Sequence, residues 1–418
     1  MNILYKKVIL IFLLSLNLSA TSLKSILYMT LQNNDNIKAI NYEIESKKQT
    51  LKSVSNIFMP TLKVGANYSK INGDLPANAI GSTTLGFLKF NAVLYNGGKN
   101  VAIKKIKHYQ LNSARLNANY TKKDILLQDI TLFYQIKTIE ESIKAYKEKS
   151  KSLYSQYKRR KTKYDIGMLT IDDVLRLKSE YESNKYIIDE LEYQKESLYQ
   201  NLSLLCGKRI KSIDNSKIKD IPHLKYRASS AIKALQEGVK IANENINIAK
   251  AAKRPKVTVE DSLNVYKYAN YNKNVFKDLP STQNKVTLNF SMTILDSSTS
   301  AKKESAILSK LEKSTQLNYA IKKEKIAFNL AIKKLYTQKK KIYSAKSALN
   351  MANSAYKIIK TKYKNGVVDN ITYLDALSKK IMYQTLYKQA LNNYEIAKAN
   401  YYFSSGLSYK DIFKMIDR

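Results

Sequence analysis

Two stretches of the chain, residues 99–165 and 299–365, contain neither glycine nor proline. No other feature restricts the fold as strongly. At 1.5 Å of rise per residue, each stretch predicts an uninterrupted helix of about 100 Å, longer than one globular core can cover. Heptads set the type. In the first stretch Leu111, Ala118, Ile125, Leu132, Ile139, Tyr146 and Leu153 recur at strict sevens; in the second, Ile321, Phe328, Leu335, Ile342, Leu349, Tyr356 and Tyr363 do the same. Apolar seams sustained over that distance predict helices packed side by side along their length.

The two stretches belong to two copies of one unit. Tyr164-Asp165-Ile166-Gly167 returns 199 residues later as Tyr363-Lys364-Asn365-Gly366, and Leu205-Cys206-Gly207 returns as Ser404-Ser405-Gly406. Leu94-Tyr95-Asn96-Gly97-Gly98 stands opposite Ile294-Leu295-Asp296-Ser297-Ser298 at an offset of 200. Ordered anchors at nearly constant spacing indicate duplication, not a short-period solenoid. The predicted organisation is a signal segment over 1–20 and a first repeat over 21–207 (helix, two strands, long helix, return helix). A linker over 208–227, a second repeat over 228–406 and a tail over 407–418 follow.

Strand-like blocks precede each long helix. Val286, Leu288, Phe290, Met292 and Ile294 alternate with Lys285, Thr287, Asn289, Ser291 and Thr293. Leu62–Tyr68, Leu88–Leu94 and Val257–Val265 alternate likewise, the last blemished by Asp261. Each is close to the length a tilted strand needs to cross a bilayer. Four strands are too few to close a pore, so a membrane reading requires several chains to pool theirs. Two ordinary hairpins on a soluble domain are the alternative.

The N-terminus has two lysines, an apolar run from Val8 to Leu14 and a small-residue close at Ser19-Ala20, the order of a secretory signal. No later run is long and apolar enough for a spanning helix, so export without one is expected. Export also bears on the charge. Lys+Arg 72 against Asp+Glu 34 leaves +38, which would suit nucleic acid, but the one compact basic run is Lys158-Arg159-Arg160-Lys161 and no nucleic-acid motif is present. No nucleic-acid partner is expected. His108 and His223 lack metal-ligand spacing, and Cys206 reads as a small apolar residue at a helix end. No catalytic constellation, cofactor or metal is expected.

The chain resembles the TolC family of outer-membrane efflux and secretion channels. The resemblance is carried by Leu94-Tyr95-Asn96-Gly97-Gly98-Lys99 at the strand-to-helix junction and by Gly366 with Leu374-Asp375-Ala376 at the helical turn. Asn392, Tyr394, Ala399 and Gly406 at the close add to it. It implies a mainly α fold with a small β part: duplicated long-helix hairpins plus four amphipathic strands per chain. As a homotrimer these would complete a twelve-stranded barrel in the outer membrane and a helical tunnel through a large periplasmic portion. The implied function is passive efflux or type I secretion, coupled to an inner-membrane transporter and a periplasmic adaptor, with outer-membrane lipid around the barrel. A periplasmic coiled-coil adaptor or scaffold is the alternative.

For individual residues the resemblance implies a periplasmic entrance at Asp375, Thr372 and Asp173, with Thr372 standing where the family carries a second acid. It implies helix turns at Gly167 and Gly366, a junction at Gly97 and Gly98, and lipid contact for Val286, Leu288, Phe290 and Met292. Thr170 and Asp173 are also spaced as a capping box, which alone would explain an acid there.

Overall fold

The computed structural model describes residues 20–56, 59–74, 76, 78–220 and 223–417. The predicted signal segment lies outside them, except for Ala20. The elements in order are α1 (Leu23–Asn33), α2 (Asp35–Ser55), β1 (Thr61–Lys70), β2 (Ile80–Asn96), α3 (Lys99–Asp165), α4 (Ile171–Cys206), α5 (Ser230–Ala251), β3 (Lys256–Tyr271), β4 (Thr282–Ser291), α6 (Ser297–Lys364) and α7 (Asn370–Ser404), closed by a 3-10 turn at Tyr409–Lys414. Both breaker-free stretches are single helices.

Contacts divide the chain into two compact units. The first holds residues up to 38, 121–227 and 327–418. Its core gathers Leu23, Ile26 and Leu27 of α1, Leu126, Ile130 and Phe133 of α3, Leu202 and Cys206 of α4, and Tyr402 of α7. Ile218 of the 208–227 segment bridges to Ile416, and both join that core. The sequence reading opens the first repeat on a single helix, but the structure breaks it at Asn34 into α1 and α2. The Asn34 Oδ1 accepts the Ile37 N–H at 3.1 Å and its Nδ2 donates to the Leu205 carbonyl at 2.8 Å. One side chain thus caps α2 and satisfies the end of α4. Gly207 packs so tightly there that a Cβ would lie 2.8 Å from that of Asn33.

The second unit holds residues 39–120 and 228–326. Its sheet is antiparallel throughout, in the order β1-β2-β3-β4. β2 and β3 run well beyond their predicted segments. β4 starts three residues before the predicted Lys285 and ends at Ser291, so Met292 lies outside the strand. The reason is local: Ser291 pairs with Lys256, and the next partner would be Pro255, which has no N–H to give. Leu94 also departs from its predicted face. A bulge between Val93 and Tyr95 sets Tyr95, not Leu94, opposite Val257.

Candidate functional site

The registers place one apolar face across all four strands. Leu62, Val64, Ala66 and Tyr68 of β1 stand opposite Phe90, Leu88, Gly86 and Thr84 of β2. Those β2 residues stand opposite Asp261, Leu263, Val265 and Lys267 of β3. On β4, Phe290, Leu288 and Val286 stand opposite Val257, Val259 and Asp261. Half-buried Asp261 is the one acid on this face, and Lys70 and Lys267 close it at the loop end. The other face carries Lys63, Asn67, Lys89, Asn91, Glu260, Asn264, Lys285 and Asn289. In a water-soluble domain the apolar side would be covered. Here Val64 is 84% exposed, and Val286 and Phe290 each 70%. Leu288 and Met292 are exposed as well.

Where the strands meet the helices, the two repeats use different chemistry. Gly97 and Gly98 have φ of +67° and +86°, and Asn96 Oδ1 caps α3 by accepting the Asn100 N–H at 3.1 Å. In the second repeat Asp296 does the capping, accepting the Ser298 N–H at 2.8 Å and the Thr299 hydroxyl at 2.7 Å. Those bonds hold its carboxyl down to about 2. Ser297 and Ser298 need no positive φ. Gly97 is additionally pinned, because a Cβ would meet the Ala251 carbonyl at 2.6 Å and Arg254 Cβ at 2.8 Å. Gly97→Ala is therefore expected to cost about 3 kcal/mol, part left-handed backbone and part overlap. Gly98→Ala, whose nearest neighbour is an Arg254 nitrogen at 3.6 Å, should cost about 1 kcal/mol. Paired melting curves check the order.

The helical turns lie in the first unit and repeat atom for atom. Gly167 N–H donates to Tyr164 O at 2.8 Å and Met168 N–H to Lys163 O at 2.9 Å. Gly366 N–H donates to Tyr363 O at 3.2 Å and Val367 N–H to Lys362 O at 2.9 Å. With φ of +76° and +74°, both are Schellman closures that favour glycine. The helix starts that follow differ. Asp369 caps α7 by accepting the Thr372 N–H at 2.8 Å, and this bonding to Thr372 lowers its carboxyl. Thr170 makes no such cap bond. Its hydroxyl instead lies beside Asp172 and lowers that carboxyl. The capping-box spacing is thus unused, and Asp173 turns to Arg160 at 3.2 Å.

Arg160 ties the two turns together. Its Nε donates to the Tyr363 hydroxyl at 2.9 Å and its guanidinium lies 4.8 Å from that ring's centre. The Tyr363 hydroxyl lies 3.3 Å from Asn370 Oδ1, which it can donate to, and its ring stacks on buried Tyr373 at 4.5 Å. Arg160, Asn370 and Tyr373 carry no such signal in the sequence, because a four-cation run looks like a solvated face until the fold turns one member inward. Asp375 stands apart from this knot, exposed and paired with Lys379 at 2.8 Å. Thr372 sits on the same helix turn, also exposed.

His108 lies within 3.2 Å of the Asn112 amide on α3. Cys206 is buried, which pushes its thiol up to about 12. Among the described residues no cluster could hold a metal ion, and no helix is long and apolar enough to cross a membrane.

With these features placed, comparison with known proteins is informative. Residues 26–208 match the family model described as outer membrane efflux protein. The fold of the chain is that of solved channels. It superposes on the Campylobacter jejuni CmeC outer membrane channel with a TM-score of 0.81 at 15% identity, covering 92% of this chain and 85% of that one. For the Vibrio cholerae outer membrane protein VceC the TM-score is 0.78 at 15% identity, covering 92% and 96%. For a membrane protein from Pseudomonas aeruginosa it is 0.79 at 17%, covering 92% and 90%. No curated protein matches the chain in sequence. The family resemblance and the mainly α fold read from sequence agree with these findings.

Proposed function

We propose that the chain supplies one third of an outer-membrane channel, a passive conduit for efflux or type I secretion. The carrying observation is the exposed apolar face on a sheet whose other face is mostly polar, with Leu85 and Phe87 of β2 among its apolar members. Lipid on one side and water on the other satisfies both faces, provided the sheet closes. Four strands cannot close around water, and β1 and β4 are open edges. Because β1 and β4 run in opposite directions, β4 of one copy can pair antiparallel with β1 of the next, continuing the pattern of the sheet. Three copies would give the twelve-stranded barrel. α6 supports the same assembly: Leu308, Tyr319, Ile326, Tyr336, Tyr343 and Ile358 are exposed along it, an apolar surface that one chain leaves uncovered. An inner-membrane transporter and a periplasmic adaptor would deliver substrate to the conduit.

The protein extracted from outer membranes is expected to migrate as a heat-sensitive trimer and to conduct ions in planar bilayers. A soluble monomer in the periplasmic fraction would refute this reading. The turns would form the entrance, with Gly167 and Gly366 shaping them and Asp173, Thr372 and Asp375 lining them. Lys379 neutralises Asp375 locally, so Lys379→Ala should raise the cation-to-anion permeability ratio roughly twofold. Asp375→Ala should lower it. Unchanged reversal potentials in both variants would place Asp375 off the conduction path.

A further inference from the structure

We propose that a basic cavity between the end of α5 and the start of α6 binds the phosphate of an anionic phospholipid headgroup. The cavity measures about 550 Å³ and is lined by Lys250, Lys253, Arg254 and Lys303, with Glu304 the one carboxylate on its wall. Four cations less one carboxylate leave a net charge of +3. All four cations are exposed, and among the described residues none of them forms an ion pair. Lys105 of α3, by contrast, is paired with Glu244, and Lys240 earlier on α5 with Glu237.

The cavity is also shaped. Arg254 is anchored through Nη1, which donates to the Gly97 carbonyl at 3.1 Å, and Lys253 Nζ lies 3.4 Å from Ser300 Oγ. The guanidinium keeps further N–H groups free for an oxyanion, and lysines add mobile point charges around it. The N-terminus of α6 contributes little, because Asp296 already takes the Ser298 amide with its carboxylate and the Thr299 amide with its carbonyl. Recognition would rest on side-chain cations.

The surroundings select a lipid over a free anion. Arg254 is two residues from Lys256, the first residue of β3, so the cavity lies at the helix end of the sheet. Beside it the β4–α6 connection exposes Ile294 at 88% and Leu295 at 94%, continuing past the apolar face of β4. Exposed aliphatic side chains next to clustered cations suit a molecule with acyl chains at one end and a phosphate at the other. Inorganic phosphate would gain nothing from Ile294 and Leu295. The inference rests on reading the sheet as a membrane wall.

The test uses the full-length channel in phosphatidylcholine vesicles with and without phosphatidylglycerol, and a Lys250→Gln/Lys253→Gln/Lys303→Gln variant that spares Arg254. Native mass spectrometry is expected to show wild type retaining phosphatidylglycerol over phosphatidylcholine. That preference should fall on the order of fivefold for each lysine removed, and inorganic phosphate should not displace the lipid. An unchanged preference in the variant overturns the proposal, as does displacement by phosphate, which would mark a free-anion site. Flotation separates the two readings. If both proteins float with vesicles and the preference persists, the headgroup site is wrong and the wall stands; if wild type fails to float, both fall.

Discussion

Val64→Arg is expected to leave less than a tenth of the wild-type trimer in the outer membrane. Val64 lies near the middle of β1 on the apolar face, 84% exposed, with Leu88 directly across and Leu62 and Ala66 on either side along the strand. An arginine at mid-depth on the lipid side of a barrel costs about 2–4 kcal/mol. Three copies bring the penalty to roughly 6–12 kcal/mol per assembly, comparable to the whole stability of an ordinary domain. Two companion substitutions make the result specific to the face. Asn67→Arg, on the polar face of the same strand, should assemble normally. Val286→Arg should be milder than Val64→Arg, because Asp261 stands directly across from it and can pair with the new charge. Heat-sensitive trimer bands from isolated outer membranes give the readout. Equal yields for Val64→Arg and Asn67→Arg would show that neither face meets lipid.

The same alternation explains why so much of the fold is legible in the amino-acid sequence. Period-two patterning needs no knowledge of partners, so Val286, Leu288 and Phe290 alone announce a strand. The absence of glycine and proline likewise announces α3 and α6, and Gly167 and Gly366 announce the turns. What stays hidden depends on residues far apart in sequence. Asn34 ends a helix because Leu205, distant in sequence, offers it a carbonyl. Met292 falls outside its strand because Pro255 is the partner it would have met. Arg160 becomes a tie between turns only once Tyr363 and Asp173 are brought to it. On α7, the acid at Asp375 is visible in sequence, but its pairing with Lys379 depends on which way both side chains lean.

Asp129 belongs to that hidden class and carries the strongest expected pH effect. It reads as one more helix-surface acid, yet it is fully buried in the first unit's core with Leu126, Ile130, Phe133 and Leu202. Neither carboxylate oxygen has a hydrogen-bond partner of ordinary geometry. Burial raises the carboxyl to about 7, relieved a little by the Thr30 hydroxyl, and the adjoining Cys206 thiol is itself pushed up, so neither offsets the charge. A raised acid binds its proton more tightly in the folded state. The stability it allows is therefore complete below the unfolded value near pH 4 and is lost as pH climbs through about 7. The loss should be on the order of 4 kcal/mol by pH 8. Asp129→Asn keeps the shape without the titration, so its melting temperature should vary less between pH 5 and pH 8 and exceed wild type at the alkaline end. Subtracting the two profiles removes whatever the other ionisable groups contribute equally to both proteins. Superimposable profiles would mean that Asp129 finds a cation or water in the assembled channel and stays ionised there.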